Sequence, residues 1–372
     1  MKQRMKTILT TLGLLAVAVI LTPVSIVADS ATSLENEVSA PSVTWTPKPK
    51  EVSVTYENSQ KYLHEEIGLI PTNSFASFLR ANTYIDNRQY DEAIVECNKI
   101  ILGYDYTPAY YLRGCAFLAK RDYDKAIADF TEYARIYTNF DIYFARGGAY
   151  MGKNEIRKAI DDFSEALKLD SHNSETFGMR GNCFLLASNF DKAIVDFTHA
   201  IQLGQSNAFI YNQRAFAYCS QGDYNSAIAD FSTAIQIDPT NAFAYSNRGF
   251  LYSQKGDYKG GLSDCYRAVN LDTNYDAGLN NLAWLLATAP DARLRDGQKA
   301  LGYAKRACEL TKWKNAYCLG TLAAACAETG NYEEAIKWEK QCISIGLPEK
   351  EMKQAHKELD LFAQKKSYHA EK

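Results

Sequence analysis

Of 372 residues only five are histidine, and those at positions 64, 172, 199, 356 and 369 are scattered. The chain has no HExxH run, no GxSxG elbow, no phosphate-binding loop and no dinucleotide fingerprint. Each of those spacings brings several groups to bear on one atom, so their absence removes most metalloprotease, hydrolase and nucleotide-dependent chemistry. Adjacent carboxylates such as Asp161 and Asp162 do not substitute, because neighbours on a helix point apart. The residues thus predict no enzyme, no cofactor and no metal site. A basic excess is also lacking. The formal net charge is −3 and more negative still without Lys2, Arg4 and Lys6, which argues against a nucleic-acid surface or an anionic-membrane surface.

No CxxC pair occurs among the nine cysteines at 97, 115, 183, 219, 265, 308, 318, 326 and 342. Most stand at apolar helix positions, where cysteine acts as a small hydrophobe; a disulfide among the last four is the other reading. The first, Cys97, lies far from where a lipoprotein anchor needs its thiol.

What is present begins with "MKQRMKTILTTLGLLAVAVILTPVSIVADSA": a basic start, an apolar run from Ile8 to Leu21, Pro23, and small residues at Ala28 and Ser30. That layout predicts an export signal over 1–28, cleaved, or else an N-terminal anchor, since Thr7 to Ala28 is long enough to span a bilayer. The protein is expected to be exported, periplasmic or extracellular. Residues 29–73 open with a Ser, Thr and Pro-rich stretch that predicts a flexible tether and lead-in.

From there one pattern recurs every 34 residues: "SNFDKAIVDFTHAI" at 188, "GDYNSAIADFSTAI" at 222 and "GDYKGGLSDCYRAV" at 256, with "RDYDKAIADFTEYA" at 121 one residue out of step. Repeats begin near Ser74, Thr107, Phe140, Ser174, Ala208, Ala242, Asp276 and Ala316. Each has apolar or small residues at helical spacing, a turn, and a second helix of pattern A-I-x-x-F/C-x-x-A. One such pair cannot bury its own faces, so the fold must be a stack. Gly222, Gly256, Gly330 and Asn154 stand where the first helix ends and a left-handed residue is needed.

In the fifth repeat Tyr211, Ala215, Tyr218, Tyr224, Ala227, Phe231, Ala234 and Pro239 fall at repeat positions 4, 8, 11, 17, 20, 24, 27 and 32. This resembles the tetratricopeptide-repeat family over Ser74 to about Pro348. The resemblance implies an all-α, right-handed α-solenoid of about eight helix-turn-helix repeats over 74–349. Residues 350–372 then form a C-terminal capping helix and tail, with Met352, Leu359 and Phe362 on one side and charges elsewhere. The seventh repeat has about five extra residues around Pro290, which predict a projecting loop.

Positions 7 and 23 carry charge in the middle of the apolar pattern: Arg80 with Glu96, Arg113 with Asp129, Arg146 with Asp162, Arg180 with Asp196, Arg214 with Asp230 and Arg248 with Asp264. In the last two repeats both partners vanish together, leaving Leu282 with Tyr303 and Leu322 with Trp338. A pair that is gained and lost as one predicts a salt bridge between the antiparallel helices, fixing their register.

The resemblance also implies that the first helices line a concave groove, facing it with Phe75, Phe78, Asn82, Tyr111, Phe144, Asn182, Phe209, Asn212, Phe216, Phe243, Phe250, Asn280 and Trp284. Phe209, Phe216, Phe243 and Phe250 take two matching positions in adjacent repeats and are expected to form an apolar patch. The carboxylate clamp of the co-chaperone subclass is missing: after Asn182 the matching places hold Gln213, Phe243 and Asn247 with no base, and after Asn82, Leu112. The expected function is a protein-binding scaffold; a carbohydrate or cell-wall binder using the same rings and amides is the alternative.

Overall fold

The computed structural model describes residues 72–104 and 107–370, and every element among them is helical, seventeen α-helices and one 3-10 turn. Residues 1–71, with the export signal or anchor and most of the tether, lie outside the described residues, as does the Phe75 side chain. The described chain divides into two compact units at Gln205 and Ser206. The first holds α1 (Thr72–Asp86), α2 (Tyr90–Tyr104), α3 (Thr107–Ala119), α4 (Tyr123–Ala134), α5 (Phe140–Gly152), α6 (Ile156–Leu169), α7 (Ser174–Leu186) and α8 (Phe190–Gln202). The second holds α9 (Ala208–Ser220), α10 (Tyr224–Ile237), α11 (Ala242–Gln254), α12 (Tyr258–Leu271), α13 (Asp276–Thr288), α14 (Gly297–Leu310), α15 (Ala316–Glu328), α16 (Tyr332–Ile345) and α17 (Glu349–Ala363).

Seven of the eight predicted repeat starts coincide with a helix start, and the first helix begins at Thr72 rather than Ser74. Local chemistry explains the precision. Asn139, Asn173, Asn207 and Asn241 each accept a hydrogen bond from the backbone N–H three residues on, and Asp122, Asn189, Asp223 and Asp257 do the same for second helices. These caps satisfy donors that the first turn leaves unpaired. Between the helices one residue turns left-handed: Gly222, Gly256 and Gly330 as expected, Asn154 likewise, but also Arg88, Arg121 and Ser188.

Within a repeat the two helices approach through glycine. A Cβ on Gly114 would stand 2.6 Å from the Phe130 ring, on Gly147 2.9 Å from Phe163, and on Gly181 2.8 Å from Phe197. Those phenylalanines, with Phe231, are 0% exposed. Each second helix then packs on the next first helix inside its unit. Helices two apart also touch where both are first helices, α1 with α3 and α3 with α5, and likewise α11 with α13 and α13 with α15. First helices therefore line the inner side of each unit.

The buried charges pair as the spacing predicts. Arg214 donates from Nε and Nη2 to the two carboxylate oxygens of Asp230 at 2.7 and 2.8 Å, and Arg113, Arg146, Arg180 and Arg248 repeat the fork on Asp129, Asp162, Asp196 and Asp264. Arg80 differs: both its nitrogens reach one oxygen of Glu96, and half of its side chain is exposed. Rings at positions 4 and 11 flank the five forked guanidiniums, as Tyr211 and Tyr218 do for Arg214. A further nitrogen reaches the preceding repeat, from Arg113 to Asn98 at 2.5 Å, Arg180 to Ser164 at 3.1 Å and Arg248 to Ser232 at 3.0 Å. One arginine thus ties its own two helices together and also grips the second helix of the repeat before it.

The ends depart from the pattern. Trp338, in place of the acid, stacks on Trp313 with ring centroids 5.0 Å apart. The Pro290 insertion does not simply project: Arg295 donates to Glu328 at 2.8 Å and to the Ala289 carbonyl at 2.7 Å, which pins its base while Arg293 stays exposed. The capping helix stops at Ala363, and the tail runs back so that the N–H of Ala370 reaches the Thr288 carbonyl. All nine cysteines are free and buried. No described helix is long and apolar enough to cross a membrane.

Two outcomes test this packing. Replacing Arg121, an exposed left-handed residue at φ 66°, by glycine relieves about 1 kcal/mol of backbone strain and raises the unfolding midpoint; an unchanged or lower midpoint refutes the strain argument. Arg214→Leu and Asp230→Leu each cost roughly 3 kcal/mol because the remaining charge is stranded, whereas the double variant costs far less than their sum. Additive losses in denaturant titrations would show that the two side chains act independently.

Candidate functional site

The inner side of each unit is lined by first helices, so the side chains those helices do not spend on packing are the ones a ligand can meet. Several expected groove residues are spent. Phe144, Phe216 and Phe250 are 8%, 9% and 3% exposed, and Asn182 and Asn212 are 8% and 7%. Phe144 stacks on Phe140 and tilts against Phe163, and Phe250 is the most deeply covered of the phenylalanines expected in the patch. These side chains stand at position 5 (Phe144, Asn212) or position 9 (Asn182, Phe216, Phe250), on the packed side of their helices rather than at the open surface. The expected four-ring patch is accordingly reduced to Phe209 and Phe243, both half-buried, the latter edge-on to Phe231. Trp284 is half-buried and covered by Tyr368 of the tail, with centroids 5.8 Å apart.

In the first unit, Phe78, Asn82 and Tyr111 keep partial exposure. Tyr111 leans on Phe130 and Tyr133, leaving an edge to the inner side. Two acids that the sequence reading passed over join them at position 2 of successive first helices, Asp141 on α5 and Glu175 on α7. Neither forms an ion pair among the described residues, and Glu175 Oε1 is shielded without a hydrogen-bond partner. Burial raises the Asp141 carboxyl and lifts that of Glu175 to about 7. Burial, then the neighbouring Cys115 and Asp141, raise the Tyr111 hydroxyl, so the Asp141 carboxylate and the ring share one neighbourhood. A cationic or aromatic side chain suits such a surface.

The second unit presents amides instead. At position 6 the first unit has Leu79, Leu112, Ala145 and Met179; the second has Gln213, Asn247, Asn281 and Thr321, all buried. Asn281 donates to the Ser246 hydroxyl at 3.1 Å and Asn247 to the Phe243 carbonyl at 2.9 Å. The side-chain oxygens of Asn212, Asn247 and Asn280 accept no hydrogen bond among the described residues. Of these, Asn212 and Asn280 are among the expected groove residues, whereas the burial of the position 6 row comes only from the packing of the first helices.

A last feature lies under the capping helix. Glu339 stands at position 24 of the eighth repeat, where four earlier repeats carry a buried phenylalanine, and is 0% exposed with neither carboxylate oxygen hydrogen-bonded. The buried face of α17 is Ala355, Glu358 and Phe362, so a second carboxylate turns inward where the sequence reading placed only apolar residues. Glu358 accepts from Gln354 at 2.9 Å. Among the described residues no group of three or more His, Cys, Asp or Glu side chains could hold a metal ion.

Comparison with known proteins fits this architecture. The profile of the TPR repeat matches residues 216–256, and that of the tetratricopeptide repeat matches 107–139 and 140–173. The C-terminal part of a TPR repeat-containing protein from Cytophaga hutchinsonii is similar at 21% identity and TM-score 0.54, over 66% of this chain and 99% of that one. The Cut9–Hcn1 hetero-tetramer of the APC/C is similar at 15% identity and TM-score 0.53, over 83% of this chain and 61% of that one. A TPR protein, YrrB, described as having an unusual peptide-binding site, is similar at 19% identity and TM-score 0.45, over 49% and 95%. No curated protein matches the chain.

The buried acid under the capping helix carries a pH prediction. Burial, and secondarily the Glu358 charge, lift Glu339 to about 9. A carboxyl raised in the folded state stabilises fully only below its unfolded pKa of about 4, and that contribution drains away as pH climbs toward 9. Opening of α17, read by amide hydrogen exchange corrected for intrinsic rates, therefore becomes easier between pH 5 and 9. Glu339→Gln should flatten this slope; an equal slope in both proteins would assign the pH dependence elsewhere.

Proposed function

The chain is a tandem tetratricopeptide-repeat protein, and from that premise we propose that it is a non-enzymatic scaffold of the cell envelope or exterior that holds a segment of a partner protein against its first helices. Proteins of this kind bind protein or peptide partners. The observation that carries the finer reading is the inner face of the first unit, where Asp141, beside the partly exposed ring of Tyr111, and Glu175 on the next first helix remain outside every described ion pair. Elsewhere in the array the buried acids at position 23 are each taken by an arginine. Acids left over next to rings favour a segment with lysine or arginine among apolar residues. Export rests on the basic and apolar start of the sequence.

The carbohydrate reading loses ground on the same evidence. A sugar platform needs rings lying flat and open, whereas Phe216 and Phe250 are buried and Trp284 is covered by Tyr368.

The test is binding of a peptide library to the full chain, with Glu175→Gln as the matched variant. Cationic segments are expected to be selected, with affinity rising between pH 6 and 8 as Glu175 ionises. The variant should lose about tenfold in affinity together with that pH dependence. Selection of neutral or acidic segments, or a variant that binds unchanged, would remove this groove assignment.

A further inference from the structure

The first helices of the first unit hold one base each, the arginine at position 7, and all four of those arginines are paired with an acid of the second helix. Every other charge on these four helices is acidic: Asp86 at the end of α1, Asp141 on α5 and Glu175 on α7. None of the three enters an ion pair among the described residues, and Asp86 Oδ1 and Glu175 Oε1 are shielded without a hydrogen-bond partner. Position 2 is charged only in the two adjacent repeats that carry Asp141 and Glu175. On the earlier side of that pair, Phe78 and Tyr111 stand partly exposed at position 5 of α1 and α3. The face therefore runs from rings to unneutralised carboxylates.

The same chain carries the complementary chemistry ahead of α1, outside the described residues. Between Glu37 and Glu51 the stretch "VSAPSVTWTPKPK" has two lysines, a tryptophan and no acid. It follows the export signal, so it belongs to the protein whether that signal is cleaved or kept. Prolines on both sides of Lys48 limit the conformational freedom that docking would remove. Reach is ample: Lys50 stands 22 residues before Thr72, a span of up to about 70 Å. The α7 helix is three repeats on from α1, about 30 Å at roughly 10 Å per packed helix.

We propose that residues 43–50 of the chain itself occupy the inner face of the first unit in the free protein, with Lys48 and Lys50 against Asp141 and Glu175 and Trp45 toward Tyr111 and Phe78. A partner segment then enters by displacing them. This rests on the reading of that face as a site for cationic segments. Charge complementarity selects the segment, and the tether supplies it at about millimolar effective concentration. A contact with a dissociation constant of only about 0.1 mM is then filled in most molecules, and it weakens the apparent affinity of an external segment about tenfold.

The probe is a labelled synthetic peptide of residues 41–52. It is titrated against the full chain, against the full chain with Lys48→Glu and Lys50→Glu, and against that double variant with Glu175→Gln added. The lysine changes lie outside the repeats and leave their packing intact. Expected is binding about tenfold tighter to the charge-reversed chain than to the native one, with the gain lost when Glu175→Gln is added. Equal affinity for the native and charge-reversed chains would mean a cationic site that stands empty, which overturns self-occupancy and leaves the reading beneath it intact. Failure of this peptide where other cationic peptides bind overturns it as well, and failure of every cationic peptide removes both together. Sedimentation decides which copy supplies the segment: a gain that accompanies dissociation of a dimer would place it in a neighbouring molecule and overturn the assignment within one chain.

Discussion

The stack depends on how closely two helices of one repeat can approach. A phenylalanine ring from the second helix lies where a Cβ of the first would be, 2.6 Å at Gly114 and 2.9 Å at Gly147. That contact closes the pair but leaves both helices with a further apolar face. The next repeat covers it, so the order of repeats is set by burial rather than by any bond of sequence. With the approach fixed, a forked arginine and aspartate can sit at the same interface, and the arginine has a nitrogen left to reach the helix before it. Such a pair adds little net stability, because desolvation offsets attraction. Its effect is on register: a slipped helix would leave a buried carboxylate facing carbon.

Termination requires a different solution. Repeats seven and eight drop the ion pair for Leu282 and Leu322, both fully buried, and the tail of the chain supplies what a ninth repeat would. Trp338, at the place of the missing acid, stacks on Trp313. His369 and Ser367 return to Glu328 and to the Ala327 carbonyl, so the last residues are fastened to α15. An apolar end closed this tightly makes the acid at 339 conspicuous by its chemistry.

Much of this was legible in the sequence. A period of 34 is set by the caps and the left-handed turn, and those depend on local residue type: an Asn or Asp before most helices, and Gly222 or Gly256 after the first. The ion pairs were legible because they come and go together. Groove exposure was not, because a phenylalanine at position 2 and one at position 9 look alike in sequence; Phe209 keeps part of its surface while Phe216 is buried. Nor was Glu339 legible, since a charged residue on an amphipathic helix is read as outward, and only the position of α17 turns it inward. Arg88, Arg121 and Ser188 hid for a related reason: the turn imposes its conformation on whatever residue stands there.

The contrast at position 6 says more about recognition than the rings do. Leu112, Ala145 and Met179 make the first unit's buried row apolar, so the polar groups of its inner face are the half-buried ones, Tyr111, Asp141 and Glu175 among them. Gln213, Asn247, Asn281 and Thr321 make the second unit's row polar. An amide buried between helices narrows the packings that satisfy it, and hydrogen bonds such as that from Asn281 to Ser246 hold adjacent first helices in one arrangement. The two units thus assign polarity differently: the first keeps its carboxylates at the inner surface, and the second places its amides beneath the surface, where their hydrogen bonds fix how first helices pack.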